Sequence, residues 1–307
     1  MSESIVFFGT GPVAAASLEL LARDFEIEAV ITKPRAAHHR GSVPVLETAS
    51  KLGLKTIEVV NKKTVSEAVA AAGFKAQVAV LIDFGIIVTQ DVIDRFEFGI
   101  VNSHFSLLPQ WRGADPITFS ILSGQSKTGV SLMLLVEAMD EGPLLAIGEY
   151  DLPPDITTPK LTEDLVGLSY ALLKDTLPRY LRGEVKSANQ AKVAEAVGYS
   201  AEPSYSRKLT KEDSILDWQK PAVQLEREIR AYLDWPKSRT ILGGHAVIIT
   251  QAHAAAGDGT PGEIWLQDKH LGMYAAQGIL MIDALKPAGK QEMTVEAFLN
   301  GYGKDLR

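Results

Sequence analysis

The sequence predicts an α/β fold in which a doubly wound parallel sheet is followed by a small antiparallel β-barrel. Three observations carry that expectation. Through the first half of the chain, short apolar runs exchange regularly with stretches whose apolar residues recur at helical spacing, the pattern of strand–helix–strand units. Residues 76–82 form an almost unbroken apolar run, suited to a strand covered on both faces. The last third holds one clear helical stretch and several short alternating runs broken by Gly. With 307 residues the chain exceeds one ordinary core, so two domains are expected.

In order, Ile5-Val6-Phe7-Phe8 reads as a buried strand closed by the turn Gly9-Thr10-Gly11-Pro12, with a helix over 13–22. Residues 28–32 predict a second strand, and 42–52 a second helix after a polar loop that carries Lys33, Arg35, His38, His39 and Arg40. Residues 55–59 are extended, 64–72 helical and 76–82 a strand. Gly99-Ile100-Val101 opens another strand, 117–123 suits a helix, 128–135 a strand, 144–150 its antiparallel partner, and 160–181 a Leu-rich helix. Residues 183–204 are polar and uneven, which places the domains at 1–186 and 205–307 with a linker over 187–204. Beyond it, 222–232 predicts a helix, and 238–242, 245–252, 262–267, 273–276 and 278–284 predict five strands.

Composition excludes several function classes. There is no Cys, which removes disulfides, thiolate metal sites and Cys nucleophiles. A net charge of -7 argues against general nucleic-acid affinity and leaves only a local basic patch, for which Arg207, Lys208, Lys211, Arg227 and Arg230 are candidates. No secretion signal opens the sequence, and no apolar run approaches the roughly 18 residues of a membrane span. The protein is therefore read as soluble and cytoplasmic.

The chemistry concentrates in residues 102–116, Asn-Ser-His-Phe-Ser-Leu-Leu-Pro-Gln-Trp-Arg-Gly-Ala-Asp-Pro, directly after an apolar run. An Asn and a His two apart in extended chain point to one side, and at a strand end both enter the crevice where open α/β sheets bind ligands. Asn102 and His104 are thus candidates for holding a developing oxyanion. Asp140 is a candidate partner for the imidazole, since it lies in a Gly-containing loop after a strand of the same domain; Glu137 and Glu141 are the alternatives. Ser106 lies too near His104 in sequence to form a nucleophile pair with it.

Other signals are weaker. Gly9-Thr10-Gly11 follows the first strand, but Ala14 stands where a dinucleotide fingerprint needs its third Gly, and Thr32-Lys33-Pro34 stands where it needs a ribose-binding acid. A tight turn is preferred to an NAD-linked oxidoreductase. Residues 83–88 (Asp-Phe-Gly-Ile-Ile-Val) either cap the core or form an apolar rim for a flat heteroaromatic ligand. His38 and His39 sit in the polar loop, and His245, His253 and His270 lack carboxylates at ligand spacing, so these five are read as solvated or structural.

Asn102-Ser-His104, Ser106-Leu107-Leu108-Pro109, Trp111-Arg112-Gly113, Thr128-Gly129-Val130 and Asp140-Glu-Gly142 resemble the formyltransferases that use 10-formyltetrahydrofolate. The likeness continues through Tyr205-Ser-Arg207-Lys208-Leu209, Ile215-Leu-Asp217-Trp218, Ile229-Arg230-Ala231, Trp235-Pro236 and Lys286-Pro287-Ala288-Gly289-Lys290, and these later motifs point to the branch that formylates methionyl-tRNA. The resemblance implies a Rossmann-like N-terminal formyltransferase domain and a C-terminal OB-like β-barrel that binds tRNA. It implies that Asn102, His104 and Asp140 are catalytic, that Ser106, Leu107, Leu108 and Pro109 shape the folate pocket, and that Phe84, Gly85, Ile86 and Ile87 lie around the pteridine. It also implies that the co-substrate is 10-formyltetrahydrofolate with no metal, and that a monomer acts on initiator methionyl-tRNA without a membrane. In this family a basic loop after the second strand grips the acceptor end, and Lys33, Arg35 and Arg40 stand in that place here, with Arg207 and Lys208 as further tRNA contacts. A formyltransferase for amino sugar nucleotides is the same-chemistry alternative.

Overall fold

The computed structural model describes residues 3–35, 41 and 43–306. The chain divides into two compact units. The first (1–116, 127–151 and 162–206) contains strands β1 (Ser4–Phe8), β2 (Glu26–Thr32), β3 (Thr56–Glu58), β4 (Ala79–Leu81), β5 (Ile100–His104), β6 (Arg112–Gly113), β7 (Lys127–Leu134), β8 (Leu144–Asp151) and β9 (Tyr205–Ser206). Between them run helices α1 (Pro12–Leu21), α2 (Pro44–Lys51), α3 (Lys62–Ala72) and α4 (Gln90–Ile93). Helix α5 (Pro116–Ser123) follows β6, and α6 (Thr158–Leu181) and α7 (Gln190–Val197) come after β8.

Local chemistry sets these boundaries. Helix α3 begins where Asn61 Oδ1 accepts the N–H groups of Lys63 and Thr64, at 3.0 and 3.1 Å, and Thr64 Oγ1 accepts the Asn61 N–H in return at 3.1 Å. It ends at Gly73, whose φ of +58° terminates a helix without strain. The seven-stranded sheet has the order β3-β2-β1-β4-β5-β7-β8; its first five strands are parallel, β7 runs antiparallel to β5, and β8 runs antiparallel to β7. The order reverses between β1 and β4, which makes the carboxyl ends of those strands the switch-point crevice. Beneath them Phe8, Phe84 and Phe96 pack edge to face, with Phe8–Phe84 centroids 5.3 Å apart.

The stretch read from sequence as a plain linker contains α7. Asn189 caps it by accepting from Ala191 N–H at 3.0 Å and Lys192 N–H at 3.3 Å. Residues 205–206 form β9, which pairs in parallel with β6.

The second unit (117–126, 152–161 and 207–307) contains α8 (Ala222–Ala231), β10 (Ser238–Leu242), β11 (His245–Ala255), β12 (Ile264–Gln267), β13 (His270–Tyr274), β14 (Ile279–Pro287), β15 (Met293–Thr294) and α9 (Val295–Tyr302). Its antiparallel sheet runs β10-β11-β14-β13-β12, with β15 added to β14. Leu225, Ile229, Val247, Ile249, Leu280 and Phe298 lie in its core. Strand β13 starts three residues before the expected 273 because Asp268 and Lys269, at φ +48° and +66°, close a two-residue hairpin that pairs Gln267 with His270. Segments 117–126 and 152–161 belong to this unit, where Thr158 Oγ1 donates to Ala231 O and Arg230 Nη1 to Ile156 O, each at 2.7 Å.

Candidate active site

Asn102 and His104 share one face of β5 at its carboxyl end and are 7% and 6% exposed. The imidazole is held from two sides, with Nε2 at 2.9 Å from the Trp111 carbonyl oxygen and Nδ1 at 3.8 Å from Asp140 Oδ1. A carbonyl only accepts, so Nε2 carries hydrogen. Nδ1 then faces the Asp140 carboxylate. Asp140 Oδ2 accepts the Gly113 N–H at 2.7 Å. Among the three acids that follow β7, Glu137 is exposed and Glu141 turns to Arg112 at 3.1 Å, which leaves Asp140 as the one that reaches His104. Among the described residues nothing hydrogen-bonds the Asn102 side chain, so a nearly buried amide stands open to a ligand acceptor.

A residue that sequence reasoning missed ties these loops together. Gln190, in the first turn of α7 and 3% exposed, donates from Nε2 to the Asp140 and Gly142 carbonyls at 2.7 and 2.9 Å, and its Oε1 accepts from Arg112 at 2.8 Å. Gly142 has to be Gly, because a Cβ there would lie 1.7 Å from the Leu134 carbonyl oxygen. Among the described residues seven non-glycine positions have positive φ, and four of them, Asp83, Trp111, Asp115 and Asp140, lie in the segments that follow β4, β5, β6 and β7. Strained backbone concentrated in this way is a mark of a functional site.

The Ser106–Pro109 stretch is fixed from below. Ser131 Oγ donates to Ser106 O at 2.7 Å and accepts Leu108 N–H at 3.0 Å. Leu107 and Leu108 are buried, and Leu108 packs with Met133 and Leu144, so these side chains shape the wall from behind. Tyr199 closes the back of the wall by donating to the Leu108 carbonyl at 2.9 Å, and burial pushes its hydroxyl up to about 12. Of the rim residues, Phe84 is core, 2% exposed, whereas Gly85 and Ile87 are open and Ile86 is half-buried.

At the switch point the Asp83 carboxylate lies over the head of α1, where a Cβ on Gly11 would come within 1.8 Å of Asp83 Oδ2. Thr10 locks the turn by donating N–H and hydroxyl to the Asp83 carbonyl at 2.9 and 2.8 Å. Burial first and then the nearby Asp115 push the Asp83 carboxyl up to about 6 against the pull of Lys33. One side of the residue is nevertheless open to water, while protein crowds the other. A negative group on this helix terminus occupies the place of a dinucleotide pyrophosphate and disfavours the oxidoreductase reading.

Of the expected tRNA residues, Lys33 and Arg35 belong to the first unit and Arg207 and Lys208 to the second. Lys33 donates to the Gly85 carbonyl at 3.0 Å, and Arg35 to the Gly41 carbonyl at 2.9 Å. Arg40, with His38 and His39, lies outside the described residues. Arg207 is paired with Asp213, whose carboxyl it holds well below the usual range, and Lys208 is exposed. Among the described residues no cluster of His, Asp and Glu is disposed to hold a metal.

The formyl transferase family model matches residues 3–177, and its C-terminal domain model matches 208–303. A methionyl-tRNA formyltransferase of Myxococcus xanthus is 34% identical over 303 residues, 97% of this chain and 95% of that protein. One from Roseiflexus castenholzii is 32% identical, over 98% of this chain and 96% of its own length. Among solved structures, an N-formyltransferase from Helicobacter canadensis in complex with folinic acid and dTDP-3-aminofucose superposes with a TM-score of 0.67 at 17% identity, covering 95% of this chain and all of that one. HypX from Aquifex aeolicus with tetrahydrofolic acid gives a TM-score of 0.62 at 16% identity, covering 97% of this chain and 47% of that one. With both family models matched and relatives alike over nearly their whole length, the chain belongs to the formyl transferase family.

Proposed function

We propose that the protein transfers a formyl group from 10-formyltetrahydrofolate to the amino group of initiator methionyl-tRNA. The observation that carries this reading is the His104–Asp140 pair beside the open Asn102 amide. The acceptor amine attacks the formyl carbon, and the carbonyl oxygen gains negative charge that the Asn102 amide and the protonated imidazole stabilise. Asp140 orients the ring and balances its charge while a proton passes to the departing folate nitrogen. The reaction is direct acyl transfer without a covalent enzyme intermediate or a metal. Ser106 to Pro109 give the folate pocket its shape; Gly85, Ile86 and Ile87 supply its open rim, with Phe84 as the floor beneath. Lys33, Arg35 and Arg40, which follow β2 in sequence, and Arg207 and Lys208 in the second unit, are the proposed tRNA contacts, made by a monomer in the cytoplasm. No helix among the described residues is long and apolar enough to cross a membrane.

The test is to supply 10-formyltetrahydrofolate with either methionyl-tRNA or a 4-amino sugar nucleotide and to follow tetrahydrofolate release. Release with methionyl-tRNA alone is expected. No release with it overturns the reading, and release with the sugar nucleotide alone replaces it.

A further inference from the structure

Formyl transfer to an amine has a proton to dispose of. The acceptor arrives mainly as an ammonium ion, because α-amino groups titrate at about 7.7–8.0. The balance is R–NH3+ plus N–CHO giving R–NH–CHO, N–H and H+, so one proton goes to the folate nitrogen and one must reach water. His104 and Asp140 have side chains only 7% and 13% exposed and lie on the leaving-group side of the proposed reaction. A second base, open to solvent and beside the amine, completes the balance.

We infer that Asp83 is that base: it receives the acceptor ammonium at the switch point, takes its proton before attack, and releases that proton to water. Four observations support the assignment. In the parallel register Leu81 pairs with Asn102, so the turn that carries Asp83 leaves β4 at the same end of the sheet at which β5 ends in His104. The Gly11 backbone makes room for the carboxylate, and Thr10 holds its turn. Among the described residues no hydrogen bond is made to the Asp83 side chain, and one of its faces is open to water. On the adjacent strand the unpartnered Asn102 amide, 7% exposed, marks where the carbonyl must lie. The charged groups facing Asp83 are Asp115 from the loop before α5 and Lys33 from the end of β2, and the head of α1 brings none. A carboxyl pushed up to about 6 is ionised at neutral pH yet basic enough to accept the ammonium proton.

The inference rests on the proposed acceptor being an amine, and the experiment separates the two claims. Tetrahydrofolate release from methionyl-tRNA is measured from pH 5 to 9 for the wild type, Asp83→Asn and Asp115→Asn. The wild-type acid limb of kcat/KM is expected near pH 6. In Asp83→Asn it moves up toward the acceptor's own titration, roughly 7.7–8.0, so the loss is more than tenfold at pH 6 and shrinks by pH 9. In Asp115→Asn, which relieves the repulsion on Asp83, the limb moves below the wild-type value. A pH-independent loss in Asp83→Asn, or an unshifted limb in both folded variants, overturns the assignment of Asp83 alone. A wild type that releases nothing overturns the functional reading and this inference with it.

Discussion

Asp140→Asn isolates the electrostatic part of the site. Asparagine tolerates the positive φ of +53° at position 140 about as well as aspartate, and its amide oxygen still accepts the Gly113 N–H. The Gln190 bridge touches only main-chain carbonyls of this loop and is retained. What is lost is the negative charge 3.8 Å from His104 Nδ1. At the effective dielectric of ~20 that suits protein sites, two unit charges at that separation interact by about 4 kcal/mol. A tenfold rate change corresponds to about 1.4 kcal/mol, so complete loss slows a step that needs the imidazolium by ~1000-fold. The remaining amide dipole returns part of this, and a fall of ~100–1000-fold in kcat is expected, with KM for 10-formyltetrahydrofolate little changed because the charge acts in the transition state. The assay is single-turnover formylation of methionyl-tRNA. A folded Asp140→Asn protein within tenfold of wild type would refute the role given to the pair.

Two further perturbations test the scaffold. In Gly129→Ala the new Cβ would lie 2.0 Å from the Gly148 carbonyl and 2.6 Å from Leu107 Cδ2, and β7 cannot yield without parting from β8. A loss of about 2–3 kcal/mol follows, seen as a melting temperature several degrees lower together with a raised KM for the formyl donor; an unchanged melt would show that the strands have slack there. Asp213→Asn tests the Arg207 pair. A carboxyl held below its unfolded value contributes stability that is present above the unfolded titration, near 3.9, and is lost as pH falls through the folded one. The melting-temperature gap between wild type and variant should therefore be full at pH 7 and narrow as pH falls below about 4; a gap constant with pH would sink this account.

The legible parts of the fold were those written in local pattern. Alternating apolar runs revealed the parallel sheet, and the Asn-x-His spacing at a strand end revealed two of the site's side chains, because strand geometry converts sequence spacing directly into direction. The rest depended on partners distant in sequence. Gln190 looks like any helix residue until α7 brings it to the Asp140 loop 50 positions away, although the Asn189 cap, the run Ala191–Ala196 and the closing Gly198 are local signs of that helix. Asp268-Lys269 forms a tight hairpin without the Gly that usually announces one. Phe84 read equally well as rim or core, and its packing on Phe8 decides for the core.

Asp83 shows most clearly why composition at a site outranks a motif. Gly9-Thr10-Gly11 on its own invites a phosphate, because a Gly-rich turn at a helix N-terminus offers N–H groups and a positive dipole end. The same Gly11 that gives a phosphate its close approach here admits a carboxylate from the end of β4, and that charge repels what the motif would attract. A switch point whose helix terminus already faces an acid suits a cation. Two strands carry the two halves of the proposed transfer to the same end of the sheet, with the Asn102 and His104 donors for the carbonyl on β5 and the Asp83 acceptor for the ammonium beside them after β4.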